Sequence, residues 1–155
     1  MTKILAIDPS SNKITTSTTG VVLLDNATVV KYYSLKYGSK NFREWWFSQG
    51  KHLNFDYCVV EKYEARDNDY SRDNTVKQTI ETIKQCIPNV IEQRNAGYAT
   101  DIPDKLLKRL NMWTFDDKTH HQDIRAASRL GLFWAMRNDV EDVVTDIGLK
   151  LQENL

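Results

Sequence analysis

The chain has few of the residues that mark specialised protein classes. Of its 155 residues only two are cysteine, three are proline and six are glycine, which excludes a disulfide scaffold and a collagen-like chain. No apolar run approaches the roughly 18–20 residues of a membrane span, and the start MTKILAIDPS lacks the apolar core of a signal peptide. These absences predict one reduced, cytoplasmic globular domain over residues 1–155, with Cys58 and Cys86 buried and inert.

Net charge is also absent, because 21 Lys and Arg residues balance 21 Asp and Glu residues. The balance hides an uneven distribution: residues 139–155 hold five acidic residues and one lysine, which leaves +4 on residues 1–138. A polyanion responds to local potential rather than to the total, so a basic surface can coexist with an acidic C-terminal helix or tail. Neutrality therefore does not exclude a nucleic-acid partner.

The order of apolar patterns predicts an α/β fold. Five segments have the β-branched or continuous apolar composition of strands: 3–8, 20–24, 28–35, 55–60 and 89–94. Five have the apolar spacing of helices: 39–53, 75–87, 101–110, 120–137 and the stretch after 139. This order predicts a mixed five-stranded sheet, with three antiparallel strands followed by parallel ones, flanked by helices.

Two of the predicted strands end in an acid at the point where the chain leaves the sheet. Asp8 closes the first strand and Glu61 closes the fourth. If those strands are neighbours, the two carboxylates converge at one end of the sheet. Like charges at such a distance repel each other and are tolerated when a cation lies between them.

A third part of the site is expected where the last long helix begins. His120 and Asp123 are three residues apart, which puts the imidazole and the carboxylate on one helix face. Other side chains nearby could take the place of His120, namely His121, Asp116 and Asp117. Three carboxylates and one imidazole suit Mg²⁺ or Mn²⁺ better than a structural zinc ion. Two such ions about 3.5–4 Å apart would activate water for phosphodiester hydrolysis, with no small organic cofactor.

The motifs around these acids resemble the RuvC family of Holliday-junction resolvases. ILAIDPSS and the following TGVV are similar to the family's first two strands, and VVEKY is similar to its second acidic strand end. HHQDIRAASRLGLFW resembles the closing helix, with His in place of its first Asp. The resemblance covers about residues 3–137 and is greatest to short phage-encoded members. It departs at Ser10, where the family usually has Gly, and at Ile124, where it usually has Ala.

The resemblance implies an RNase H-like fold and a Mg²⁺-dependent endonuclease. Its partner would be branched DNA, such as four-way junctions and forks, cut by paired nicks from a homodimer. Asp8 would bridge two Mg²⁺ ions, with Mn²⁺ as a substitute, while Glu61 and Asp123 each complete a shell. His120 would bind metal or orient the attacking water.

Basic and aromatic residues near these motifs are expected to contact the DNA. Lys105 and Arg94, at the 11-residue interval that the resemblance implies, would neutralise the scissile phosphate. The remaining predicted contacts are Lys36, Lys40, Arg43, Lys62, Tyr63, Arg66 and Arg72. Tyr63 or Tyr70 would stand where family members often carry an aromatic wedge. Such contacts make the affinity strongly dependent on salt.

Several alternatives stay open at this point. The apolar stripe of helix 75–87 can pack on the sheet or pair with its mate in a dimer, and the four tryptophans (Trp45, Trp46, Trp113 and Trp134) are expected in the core. Another RNase H-like nuclease, acting on flaps, forks or RNA–DNA hybrids, would use the same metal site. A non-catalytic branched-DNA module is a further possibility. An actin-like phosphate-binding domain begins similarly but needs a second domain, for which 155 residues leave no space.

Overall fold

The sheet has the mixed topology that the sequence predicts. The computed structural model describes residues 1–64, 73–116 and 121–153. Its five strands are β1 Lys3–Asp8, β2 Thr18–Asp25, β3 Thr28–Lys36, β4 Tyr57–Glu61 and β5 Ile91–Gln93, in the spatial order β3-β2-β1-β4-β5. The pairs β1–β2 and β2–β3 are antiparallel, whereas β1–β4 and β4–β5 are parallel.

The helices follow the predicted order with two changes at their boundaries. They are α1 Gly38–Ser48, α2 Val76–Cys86, α3 Tyr98–Asp101, α4 Asp104–Arg109, α5 His121–Arg137 and α6 Glu141–Glu153. The predicted helix over 39–53 ends early and continues as a 3₁₀ turn over Gly50–His52. The helix predicted over 101–110 is α4, which begins after Pro103 because that residue has extended backbone angles, and the short helix α3 before it was not predicted. In the described part of the chain, no helix has the length and apolarity to cross a membrane.

Helices cover both faces of the sheet, which explains why the sequences of its central strands are almost continuous apolar runs. Ile4 and Ala6 face the cluster that includes α5 and α6, while Leu5 and Ile7 face the cluster formed with α1 and α2. All four are fully buried. The alternation of side chains along a strand sends successive residues to opposite faces. The apolar stripe of α2 lies in the second cluster, so packing on its own sheet accounts for it.

The predicted core residues are mostly buried, with two corrections. Trp45, Trp46 and Trp134 lie in the core, whereas Trp113 is only half-buried. Cys58 is buried, and burial raises the pKa of its thiol to about 12. Cys86, the last residue of α2, is only half-buried and packs at the edge of the cluster formed with α1 and α2.

The acidic C-terminal segment folds back on the same chain as α6. The carboxylate of Asp142 accepts a hydrogen bond from the Thr2 hydroxyl at 3.0 Å and lies 3.4 Å from the N-terminal ammonium. The carboxylate of Asp146 accepts the Ala27 N–H at 2.9 Å. These contacts lie at the end of the sheet where β1 begins. The opposite end, where β1 and β4 finish, is called the Asp8 end below.

The turn that follows Asp8 is anchored through Ser10. This side chain is 3% exposed, and its hydroxyl oxygen accepts the Thr19 hydroxyl at 2.7 Å and the Gly38 N–H at 2.9 Å. These bonds join the turn to β2 and to the first residue of α1. Ser10 stands where the RuvC family usually has Gly, and its hydroxyl fixes the turn beside Asp8.

A second anchor joins the same turn to the start of α2. The Ser11 hydroxyl is hydrogen-bonded to the Asp73 carboxylate, and the Asn12 N–H donates to the Thr75 hydroxyl at 2.9 Å. Hydrogen bonds from Ser11 and Thr75 lower the pKa of Asp73. The chain leaving Asp8 is thus tied to both helices on that face of the sheet.

Replacement of Ser10 with alanine should lower the free energy of unfolding by about 1–3 kcal/mol, because the buried Gly38 N–H loses its acceptor. Ser48→Ala is the matched control, since that exposed hydroxyl bonds only to carbonyls of its own helix. It should change the free energy by less than about 0.5 kcal/mol. Urea unfolding followed by circular dichroism measures both variants, and equal values would show that Ser10 does not anchor the turn.

Candidate metal centre

Strand pairing brings Asp8 and Glu61 together. The parallel register between β1 and β4 runs from Ile4 opposite Tyr57 to Ile7 opposite Val60. The next residue on each strand is an acid, so both carboxyl groups emerge side by side at the Asp8 end of the sheet. The two side chains are close enough for Glu61 to raise the pKa of Asp8, and both residues are half-buried.

The helix α5 brings Asp123 to the same place because β2 has a glycine there. Gly20 is the register partner of Asp8 on β2. A Cβ atom at Gly20 would overlap with the backbone carbonyl of Asp123, so only glycine permits this close approach. The start of α5 therefore lies directly against the strand beside Asp8.

The three acids affect one another electrostatically. Burial, then the charge and hydrogen bond of Glu61, and then the charge of Asp123 raise the pKa of Asp8 well above 3.8. A partly desolvated carboxyl group beside two others ionises only at a large cost in free energy. Such a group is stabilised either by a proton or by a cation placed between the carboxylates.

The donor set fits a hard divalent cation that keeps other ligands. Carboxylate oxygens suit Mg²⁺ or Mn²⁺, and Mg²⁺ is usually held by one or two carboxylates together with water and substrate phosphate. Among residues 1–64, 73–116 and 121–153, no group of three or more His, Cys, Asp or Glu side chains is spaced to hold an ion alone. The fit is therefore to the close pair Asp8 and Glu61, with Asp123 acting from a longer distance.

Two residues of this site were missed by sequence reasoning. The Asn95 side-chain amide donates a hydrogen bond to Oε1 of Glu61, and the Asn95 carbonyl accepts the Tyr98 N–H at 3.0 Å. Burial and the charges of Glu61 and Asp8 raise the pKa of Tyr98, against an opposing effect of Arg129. Asn95 follows β5, the parallel neighbour of β4. The pairing of these two strands is therefore the feature that places Asn95 near Glu61.

The predicted histidine and its alternatives have different positions. His120 and Asp117 lie outside the described residues. His121 packs edge-on against Phe115 with a centroid distance of 6.1 Å, and its buried Nε2 has no hydrogen-bond partner among described residues. Asp116 is exposed. His121 and Asp116 thus do not join the carboxylate pair.

The predicted DNA contacts are mostly exposed. The exposed members are Lys36, Lys40, Arg43, Lys62, Arg94 and Lys105, whereas Arg66, Arg72 and the alternative wedge Tyr70 lie outside the described residues. Lys62 directly follows Glu61, and Lys36 pairs with Thr18 at the Asp8 end. Arg94 is engaged in an ion pair with Glu64. The Tyr63 ring lies under the Lys77 ammonium at 5.0 Å and its hydroxyl bonds to Asn74, which holds it against the start of α2.

The architecture is similar to that of a solved RuvC structure. The structure of T. thermophilus RuvC in complex with Holliday junction substrate matches this chain with a TM-score of 0.66. The match covers 92% of this chain and 98% of that one, at 10% sequence identity. The fold is RuvC-like. No protein-family model matches the chain, and no curated protein is significantly similar to it in sequence.

The comparison confirms the predicted RNase H-like fold. At 10% identity it shows the fold alone, so the roles of individual residues depend on the geometry described above. In the RuvC-like fold of this chain, Asp8 and Glu61 lie side by side at the ends of two central parallel strands, and the start of α5, which carries Asp123, packs against β2 beside Asp8. A phage origin stays a prediction.

Without divalent cations, Asp8→Asn should become increasingly more stable than the wild type as the pH rises from about 4. Asp8 has a raised pKa in the folded protein, so its proton favours folding at low pH, and this contribution is lost as the pH passes through that value. The asparagine has no such dependence. Urea unfolding in EDTA at several pH values measures the difference, and a difference that does not vary with pH would contradict the electrostatic interpretation.

Gly20→Ala should weaken Mn²⁺ binding about 10–100-fold, because the added Cβ displaces the start of α5 and with it Asp123. Gly131→Ala is the matched control. Its Cβ would meet the Leu24 and Ala6 side chains farther along α5, so it should lower stability but not Mn²⁺ affinity. Electron paramagnetic resonance of free Mn²⁺ measures the affinities. An equal loss of Mn²⁺ affinity in both variants would contradict the proposed role of Gly20.

Proposed function

We propose that this chain is a divalent-metal-dependent endonuclease that resolves Holliday junctions and related branched DNA. The observation that carries the proposal is that Asp8 and Glu61 lie side by side at the ends of adjacent parallel strands, while the start of α5, with Asp123, packs against the strand beside Asp8. Repelling carboxylates at an open end of a sheet favour a hard cation that still has positions for water and phosphate oxygen. That is the requirement for metal-assisted phosphodiester hydrolysis.

The residues of the site have distinct roles in this proposal. Mg²⁺, as two ions or with Mn²⁺ in its place, would polarise the phosphate and lower the pKa of bound water. Asp8 and Glu61 hold the metal, and Asp123 and His120 provide the remaining protein ligands. Asn95 binds Oε1 of Glu61 and so fixes the orientation of that carboxylate.

The charge distribution supports a polyanionic substrate at this end of the molecule. Lys36 and Lys62 are exposed at the Asp8 end, whereas Asp142 and Asp146 are bound at the opposite end. Lys105, with Arg94, is proposed to neutralise the scissile phosphate. A DNA backbone approaching the carboxylates thus meets cations and avoids the acidic helix.

Branched DNA is proposed as the substrate class and a homodimer as the active form. The similar T. thermophilus RuvC was solved with Holliday junction substrate, which supports a four-way junction. A junction with two-fold symmetry calls for a two-fold enzyme if both strands are to be nicked together. The proposed location of the enzyme is the cytoplasm of the cell that holds this DNA.

Asp8→Asn and Glu61→Gln should each reduce Mg²⁺-dependent junction cleavage at least about a hundredfold, because each removes a metal ligand. Junction binding should stay equal or become tighter, since a negative charge beside the phosphate is lost. Glu141→Gln makes the same charge change on the exposed surface of α6 and should cut normally. Cleavage is followed with a labelled four-way junction on denaturing gels.

The same assay discriminates between nuclease classes. A flap, an RNA–DNA hybrid and a plain duplex of the same length are cut in parallel. Normal nicking by both variants would refute the metal site. Equal activity on plain duplex would refute the resolvase function, and preference for the flap or the hybrid would assign another nuclease activity to the same site.

A further inference from the structure

A half-buried tryptophan between α4 and α5 lies beneath two cations. The guanidinium carbon of Arg125 is 3.7 Å from the Trp113 ring centroid, and the ammonium nitrogen of Lys108 is 4.6 Å from it. Nε of Arg125 also donates to the Trp113 backbone carbonyl at 2.6 Å. The negative face of an aromatic ring attracts cations, so one indole concentrates two positive charges from two helices.

Among the residues that the structure describes, these two charges have no carboxylate partner, unlike other cations nearby. The other two arginines of α5 form ion pairs, Arg129 with Asp104 and Arg137 with Asp101. In the described part of the chain, neither Lys108 nor Arg125 forms an ion pair. A cation with no carboxylate partner among the described residues can bind the charge of an external anion such as phosphate.

The surface around the ring offers hydrogen-bond donors to such an anion. The described residues that line a cavity of about 290 Å³ here are Lys108, Asn111, Trp113 and Thr114, and none of these is acidic. Ammonium, amide and hydroxyl groups are the donors that proteins use on phosphate oxygens. The volume is close to the lower end of ligand pockets, about 300 Å³, and accommodates a sugar-phosphate unit.

The position of this cluster relates it to the candidate metal centre. Arg125 follows Asp123 by two residues on α5, which corresponds to a rise of about 3 Å and a rotation of about 200°. The two side chains therefore project from opposite sides of a helix roughly 10 Å across. A DNA strand advances about 3.4 Å per nucleotide, so about three nucleotides span that distance.

We propose that Trp113, Lys108 and Arg125 form a second DNA contact, which binds backbone phosphate a few nucleotides from the scissile position. The indole holds the two cations in place, and Lys108 and Arg125 neutralise the phosphate. The choice of DNA as the source of phosphate rests on the proposed function. The competing role is structural, with the ring only joining α4 to α5, and it predicts no effect on DNA affinity.

The test is the salt dependence of binding to a fluorescein-labelled four-way junction, measured by anisotropy in EDTA with the DNA verified as intact. Lys108→Gln and Arg125→Gln should each weaken binding about 5–10-fold near 0.1 M salt and lower the slope of log affinity against log salt by about 1. Lys51→Gln is the matched control, because Lys51 lies over the Phe47 ring at 5.8 Å, beyond the end of α1 and far from Asp8. It should change neither quantity.

Further variants separate DNA binding from stability. Trp113→Phe keeps a ring face and should bind nearly normally, whereas Trp113→Ala should weaken binding as the two cations lose their support. If Arg125→Gln fails to fold, Lys108→Gln decides, because Lys108 is exposed. An unchanged slope for Lys108→Gln, or wild-type binding that does not depend on salt, would overturn the proposal.

The failure of this contact and the failure of the proposed function give different results. A wild-type chain that binds with the expected slope but does not cut would overturn the endonuclease and leave the contact standing. A Lys108→Gln variant that binds as the wild type does and cuts normally would overturn the contact and leave the endonuclease standing.

Discussion

The repulsion between Asp8 and Glu61 is the constraint that organises the rest of the molecule. Parallel pairing of β1 and β4 forces the two carboxyl groups out at the same end of the sheet, where burial and the charge of Glu61 raise the pKa of Asp8. This arrangement costs free energy, so it persists only because β1 is fixed on both faces and along both neighbouring strands. A rigid strand can hold carboxylates closer than their charges favour, and in the proposed metal centre this closeness is what would favour a cation between them.

The surroundings of the pair are positioned by contacts that remove freedom from the adjoining backbone. Ser10 joins the turn after Asp8 to β2 and α1, and Gly20 lets α5 approach closely enough for the charge of Asp123 to act on Asp8. Asn95 then holds one oxygen of Glu61. Each contact comes from a different segment of the chain, so the site depends on the whole sheet being assembled. A local change that releases one anchor affects geometry at the acids without touching them.

The sequence predicted the elements better than the environment of the acids. The strand-ending positions of Asp8 and Glu61 were visible because alternation and turn residues locate strand ends, and the helix start located Asp123. Asn95 was not visible, because its contact with Glu61 depends on β5 lying beside β4, which is a long-range pairing. Trp113 was expected in the core since tryptophan is usually buried, but the segment before α5 leaves its ring half-exposed beneath two cations. The start of α4 after Pro103 was predictable, because proline has no backbone N–H to donate within a helix.

The net charge of zero is a total that includes acidic and basic residues at opposite ends of the sheet. The acids of α6 are held at the end of the sheet where β1 begins, by the N-terminal ammonium, Thr2 and Ala27. Lys36 and Lys62 are exposed at the other end, and Arg125 follows Asp123 by two residues on α5. None of the three forms an ion pair with a residue that the structure describes. Charges about a protein diameter apart are screened from each other, because the Debye length is about 8 Å at physiological salt. A polyanion at the Asp8 end therefore experiences the local cations and not the neutral total, and a chain with no net charge can present one strongly basic end.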